Sequence, residues 1–170
     1  MVRKLAERQW VEFKMVNKIV ILREDKTQRT WPKKGDVFYF KTNGFKYYFG
    51  TVFSNKMSIG PFKNALILCV FDVQHDEIYE KIVLDSSSLL LPPIIADNSC
   101  WKKGFFHTIH TEEINETMLS KFLFANPINN KVYGLDDTLY EGDVNNMILG
   151  ERSLCFCDEI IRRVESALND

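Results

Sequence analysis

The sequence predicts an α+β fold, mainly antiparallel, with a strongly curved or barrel-like β-sheet and a helix towards each end. Three observations lead there. The chain is rich in aromatic residues, with 13 Phe, 6 Tyr and 3 Trp, and aromatics favour pleated, half-buried surfaces. Short β-forming runs separated by Gly, Pro and Asn turn signals fill the middle of the chain. Apolar residues follow a helical period only near the two ends. The 170 residues fit one domain, and no linker-like stretch divides them, so residues 1–170 are expected to fold as a unit.

Val2, Leu5, Trp10, Phe13 and Val16 are spaced for a helix over 3–16, and Ile19–Leu22 is a short apolar strand. Glu24–Arg29 is polar and turn-like. Lys33-Lys34-Gly35-Asp36 opens a strand at Val37–Lys41. Asn43-Gly44 is a hairpin signal, because both residues tolerate positive φ, and Phe45–Phe53 is the return strand, broken by Gly50. Gly60-Pro61 marks a turn before the apolar run Ala65–Val73. His75-Asp76 marks another turn, before a strand at Ile78–Leu84. Leu89–Ile95 contains Pro92-Pro93, which cannot donate to a ladder and so points to an edge or a strand end. Trp101–Ile109 reads as a strand, and Glu112–Phe122 holds a short helix. Asn126–Gly150 reads as hairpins and loops, and residues 157–168 form a helix with Ile160, Ile161, Val164 and Leu168 on one face.

Composition narrows the function classes. Four cysteines in a chain of this length do not make the disulfide framework of a small secreted domain. Residues 1–17 lack the apolar core of a signal peptide, and no run approaches the ~18 apolar residues of a membrane span. A reduced cytoplasmic protein is expected. The net charge of −1 conceals an asymmetry: residues 1–56 carry 13 Lys+Arg against 5 Asp+Glu, and residues 105–170 carry 5 against 12. An acidic half of this kind complements a basic protein partner.

No local pattern supports catalysis. His107 and His110 are spaced H-x-x-H, which on a strand puts the two rings on opposite faces. Cys155-x-Cys157 has no second ligand pair to complete a zinc site. No nucleophile elbow, Walker loop or dinucleotide fingerprint occurs. No cofactor or metal is expected. Lys33, Lys34, Lys41 and Lys46 beside Tyr39, Phe45, Tyr47 and Tyr48 have the composition of a single-strand nucleic-acid surface. They fit better a hairpin with aromatics inward and lysines outward, since lysines also protect edge strands. Asp136, Asp137, Glu141 and Asp143 form an acidic cluster in a Gly- and Asn-containing stretch, without the spacing of a calcium loop.

Three ordered stretches resemble one family. They are Lys33–Phe40 (KKGDVFYF) with Lys46–Phe53 (KYYFGTVF), Ala65–Val73 (ALILCVFDV), and Leu91–Ile109 (LPPIIADNSCWKKGFFHTI). Together they are similar to the Immunity protein 26 family of bacterial polymorphic toxin systems, sometimes labelled jointly with a small phosphotriesterase. The resemblance covers about residues 32–125, leaving an N-terminal extension at 1–31 and a divergent acidic part at 126–170. It rests on Gly35, Asp36, Gly50, Asp72, Pro93, Trp101 and Gly104, which read as structural positions. It implies a protein that binds and neutralises a cognate toxin domain, with no membrane and no direct nucleic-acid partner. Nucleases are the toxin class whose basic clefts an acidic surface fits. On this reading the partner-binding residues are Asp136, Asp137, Glu141 and Asp143, with Tyr133 and Tyr140 as aromatic anchors. The alternative, a small metal-dependent hydrolase, would use His75, Asp97, His107 and His110.

Overall fold

A computed structural model describes residues 18–78, 84 and 86–170. Its strands are β1 (Asp36–Lys41), β2 (Tyr47–Ile59), β3 (Phe62–His75), β4 (Ile94–Ala96), β5 (His107–Thr111) and β6 (Phe122–Ala125). These are followed by β7 (Val132–Tyr133), β8 (Leu139–Tyr140), β9 (Ile148–Glu151) and β10 (Leu154–Cys155). The helices are α1 (Ser99–Lys102), α2 (Glu116–Leu119) and α3 (Cys157–Leu168).

The strands form two open sheets rather than a closed barrel, which corrects the barrel-like expectation. A six-stranded sheet runs β10-β4-β3-β2-β1-β5, and a four-stranded sheet runs β8-β7-β6-β9. Pairing is antiparallel except between β10 and β4 and between β6 and β9. The helix expected at 3–16 and most of the strand expected at Ile78–Leu84 lie outside the described residues. Among the described residues no helix is long and apolar enough to cross a membrane.

The apolar run in β3 reflects burial on both faces. Leu66, Leu68 and Val70 join one core with Phe38, Phe40, Trp101, Phe106, Ile160 and Val164. Ala65, Ile67, Cys69 and Phe71 join a second core with Phe53, Met118, Phe122 and Phe124. Alternate strand residues point to opposite faces. The large sheet is therefore covered by α3 on one side and by the small sheet on the other, and an alternating polar face is absent.

Turn chemistry places the strands. At the β2–β3 tip, Gly60 takes φ 53° ahead of Pro61, the arrangement of a type II′ hairpin turn. The β1–β2 hairpin forms at Asn43-Gly44, but the positive φ falls on Phe45. Asn43 instead accepts a hydrogen bond from the Val20 amide at 3.1 Å and donates to the Lys18 carbonyl at 2.8 Å. That pinning reduces the strand expected at Ile19–Leu22 to a single bridge between Ile21 and Thr42.

Trp101 lies in the helical turn α1, and the strand expected over Trp101–Ile109 starts later and ends later, as β5 (His107–Thr111). Asp97 accepts from the Ser99 amide at 3.0 Å, and Gly104 at φ 83° turns the chain where a Cβ would collide with the Glu24 carbonyl. The indole is fully buried. Its ring meets Phe38 and Phe106 edge-on at 5.1 and 5.3 Å, and its N–H donates to Thr108 Oγ1 at 3.1 Å. Asp36, also buried, accepts from the Lys33 amide at 2.9 Å and the Thr111 hydroxyl at 2.6 Å. Of the family-like positions, Asp72 alone is exposed.

Candidate interaction surface

The acidic cluster is carried by the small sheet. β7 and β8 pair Val132 with Tyr140 and Tyr133 with Leu139. The Gly134 amide donates to the Thr138 carbonyl at 2.9 Å and the Asp137 amide to the Gly134 carbonyl at 3.1 Å. With Asp137 at φ 62°, this is a three-residue hairpin loop ending in a left-handed residue, a conformation Asp tolerates better than most residues. Asp136 accepts from the Thr138 amide at 3.1 Å, and its hydrogen bonds with Thr138 hold its carboxyl below the ordinary carboxylate value.

Asp137 turns inward. Its carboxylate takes both ends of the Arg152 guanidinium at 2.7 Å each and the Gly60 amide at 3.1 Å. It therefore clasps the β7–β8 loop to the β9–β10 corner and to the β2–β3 tip. Arg152, with the Gly60 amide beside it, holds the Asp137 carboxyl below its ordinary value. The same guanidinium lies 4.6 Å over the Tyr133 ring. Of the six predicted contact residues, Asp137 and Tyr133 thus support the loop from within.

The other end of the hairpin carries Tyr140, Glu141 and Asp143. The Tyr140 hydroxyl donates to the Asp143 carbonyl at 2.9 Å, and the Asp143 carboxylate accepts from the Asn145 amide at 2.9 Å. Asp136, Glu141 and Asp143 are exposed. Strands two residues long separate the two groups by roughly 7 Å of backbone. The cluster is therefore one small surface with three outward carboxylates.

The residues of the hydrolase alternative are dispersed. His107 Nε2 is buried and makes no hydrogen bond, although Glu24 Oε2 lies 3.2 Å away. Burial is the main effect, lowering the His107 pKa against the pull of Glu24. His110 Nε2 lies 2.5 Å from Glu112 Oε1, His75 packs on Phe49 at 5.6 Å, and Asp97 holds Ser99. Among the described residues no group of three or more His, Cys, Asp or Glu side chains is placed to hold a metal ion.

The basic hairpin is largely engaged within the chain. Lys34 pairs with Glu116 at 2.8 Å and Lys46 with Asp76, Lys41 lies over the Phe45 and Tyr47 rings, and Tyr39 and Tyr48 are buried.

Sequence reasoning missed the apolar part of the surface. Ile128, at the tip of the β6–β7 turn, is 92% exposed, and Leu139 is 45% exposed. It also missed an open groove of about 640 Å³ lined by Leu89–Pro92, Met118 and Met147–Leu149. The available signal was two apolar runs, Leu89-Leu90-Leu91 after three serines and Met147-Ile148-Leu149 after two asparagines.

The family model described as Immunity protein 26 matches residues 33–133, more than half of the chain. No curated protein and no solved structure matches it.

Proposed function

The chain belongs to the Immunity protein 26 family, a family of toxin-neutralising proteins, and from that premise we propose that it inhibits a cognate toxin domain by binding it and occluding its active site or substrate-binding surface. The contact face is the β8 edge of the small sheet, with Asp136 at one end of the strand, Glu141 and Asp143 at the other, and Tyr140 and the exposed Leu139 between them. Asp137 and Tyr133 position that face through Arg152.

One observation carries this reading. The exposed carboxylates of Asp136 and Asp143 are each fixed by a local backbone hydrogen bond. A preorganised charged loop loses little conformational entropy on binding. Its field accelerates encounter with a basic partner such as a nuclease cleft more than it deepens affinity.

The test is titration of purified protein against the toxin domain encoded beside it, with wild type compared to Asp136→Lys/Glu141→Lys/Asp143→Lys. The triple reversal is expected to slow association about tenfold or more and to flatten its salt dependence, with the fold retained despite loss of the two loop hydrogen bonds. Equal rates and equal salt dependence for a folded triple variant would remove this face from the interface. Absence of any complex with wild type would remove the toxin itself as its partner.

A further inference from the structure

Two buried thiols meet where α1 packs against the start of α3. Cys100 Sγ lies 3.1 Å from Cys157 Sγ, with Cys100 placed to donate. That is beyond the ~2.05 Å of a covalent bond but already sulfur-to-sulfur contact. The junction is tightly held. The Cys157 amide donates to Ser99 Oγ at 2.8 Å, so Ser99 of α1 caps α3, whose own N-cap residue, Phe156, makes no side-chain cap bond. Cys155, although nearer in sequence, directs its sulfur to Ser153 at 3.8–3.9 Å. Cys69 belongs to the opposite core.

We propose that Cys100 and Cys157 are a redox pair that closes to a reversible disulfide on exposure to hydrogen peroxide, crosslinking α1 to α3.

Cys157 is the attacking thiol. It is the first residue of a twelve-residue helix, where the helix end favours a thiolate. The hydrogen bond from Cys100, aided by the Lys103 charge, lowers its pKa, whereas burial raises that of Cys100. Cys157 is itself buried, but Phe156 before it is 57% exposed and Asp158 after it is exposed. Peroxide would reach it through local opening of this first turn, which lies between two exposed residues. The Cys157 thiolate attacks one peroxide oxygen, forming a sulfenic acid and releasing hydroxide, which takes a proton to become water. The Cys100 sulfur then attacks the Cys157 sulfur, and the sulfenic oxygen leaves as a second water, taking the Cys100 proton. Two thiols are oxidised by two electrons and one peroxide is reduced to two waters. A dithiol reverses the bond by exchange.

The experiment is peroxide titration of the full chain, followed by alkylation under denaturing conditions and peptide mapping, which needs no variant. Expected are a linked Cys100–Cys157 peptide, alkylated Cys69 and Cys155, a product lighter by two hydrogens, and full reversal by dithiothreitol. Oxidised protein should also melt at a higher temperature. In Cys100→Ser, a sulfenic-acid probe should trap Cys157. A Cys155–Cys157 link, independent oxidation of all the cysteines, or a sulfenic acid persisting on Cys157 in the wild type would overturn the proposal.

Discussion

The clasp between Asp137 and Arg152 separates a supporting role from a contacting one, and Asp137→Asn isolates it. Asparagine keeps the side-chain shape and tolerates the left-handed backbone at φ 62°, so the substitution removes charge with little added strain. The Asp137 and Arg152 side chains are 17% and 21% exposed, between the surface pairs worth about 0–1 kcal/mol and the buried pairs whose breakage costs about 3–5 kcal/mol. Two charge-assisted bonds in fork geometry, with one partly retained by the amide oxygen, place the loss at about 1.5 kcal/mol. For a chain of this size that is a fall in Tm of about 3–6 °C. The Asp137 pKa is lowered in the folded state, so its stabilisation is complete above the unfolded carboxylate value and is lost as pH falls through the folded one. Wild type and variant should therefore converge in Tm as pH is lowered from about 5 towards 2. Circular-dichroism melts across that range read both effects. A variant melting within about 1 °C of wild type at neutral pH, or a gap that persists in acid, would refute the clasp.

Gly50→Ala should be severely destabilising, because its Cβ would overlap the Phe38 ring and lie 2.7 Å from the Cys69 carbonyl. Phe38 cannot retreat, stacked at 4.6 Å on Phe106 and edge-on to Trp101. The expected loss is about 3 kcal/mol by urea unfolding, partly recovered by Phe38→Leu in the same chain; strict additivity of the two changes would contradict this account. Burial lowers the His107 pKa below its ordinary value, so wild-type stability should decline as pH falls below about 6.5, with a slope of at most about 1.4 kcal/mol per pH unit. His107→Phe preserves a ring against Tyr39 and should flatten that decline; an unchanged slope would assign it to other groups.

Legibility in the sequence follows how local each cause is. α3 occupies the residues whose period predicts it, because Ile160 and Val164 meet a core face at helical spacing. The β1–β2 and β2–β3 hairpins were legible from Asn43-Gly44 and Gly60-Pro61. Trp101 misled because its aromatic neighbours mimic a strand, whereas the turn bond from the Ser99 amide to Asp97 and the positive φ of Gly104 decide the local backbone. The parallel pairings of β4 with β10 and β6 with β9 were hidden, since strands of two to four residues carry no period and their partners lie far along the chain. The same holds at the candidate site. The acidic composition was visible, but the inward turn of Asp137 depends on Arg152 and Gly60, which only the fold brings alongside.

The family match ends at residue 133, on β7. Yet β9 is the parallel neighbour of β6 in one sheet, and β10 is the parallel neighbour of β4 in the other. The tail is therefore woven into both layers and is no detachable appendage. A recombination event that exchanged everything after residue 133 would bring in a foreign seam at β6 and β4 along with any new loop. Point changes within 134–147 leave those seams intact. On the proposed contact face, a change of partner is therefore expected as substitutions at exposed positions such as Asp136, Glu141 and Asp143, while Asp137 and the paired strands stay fixed.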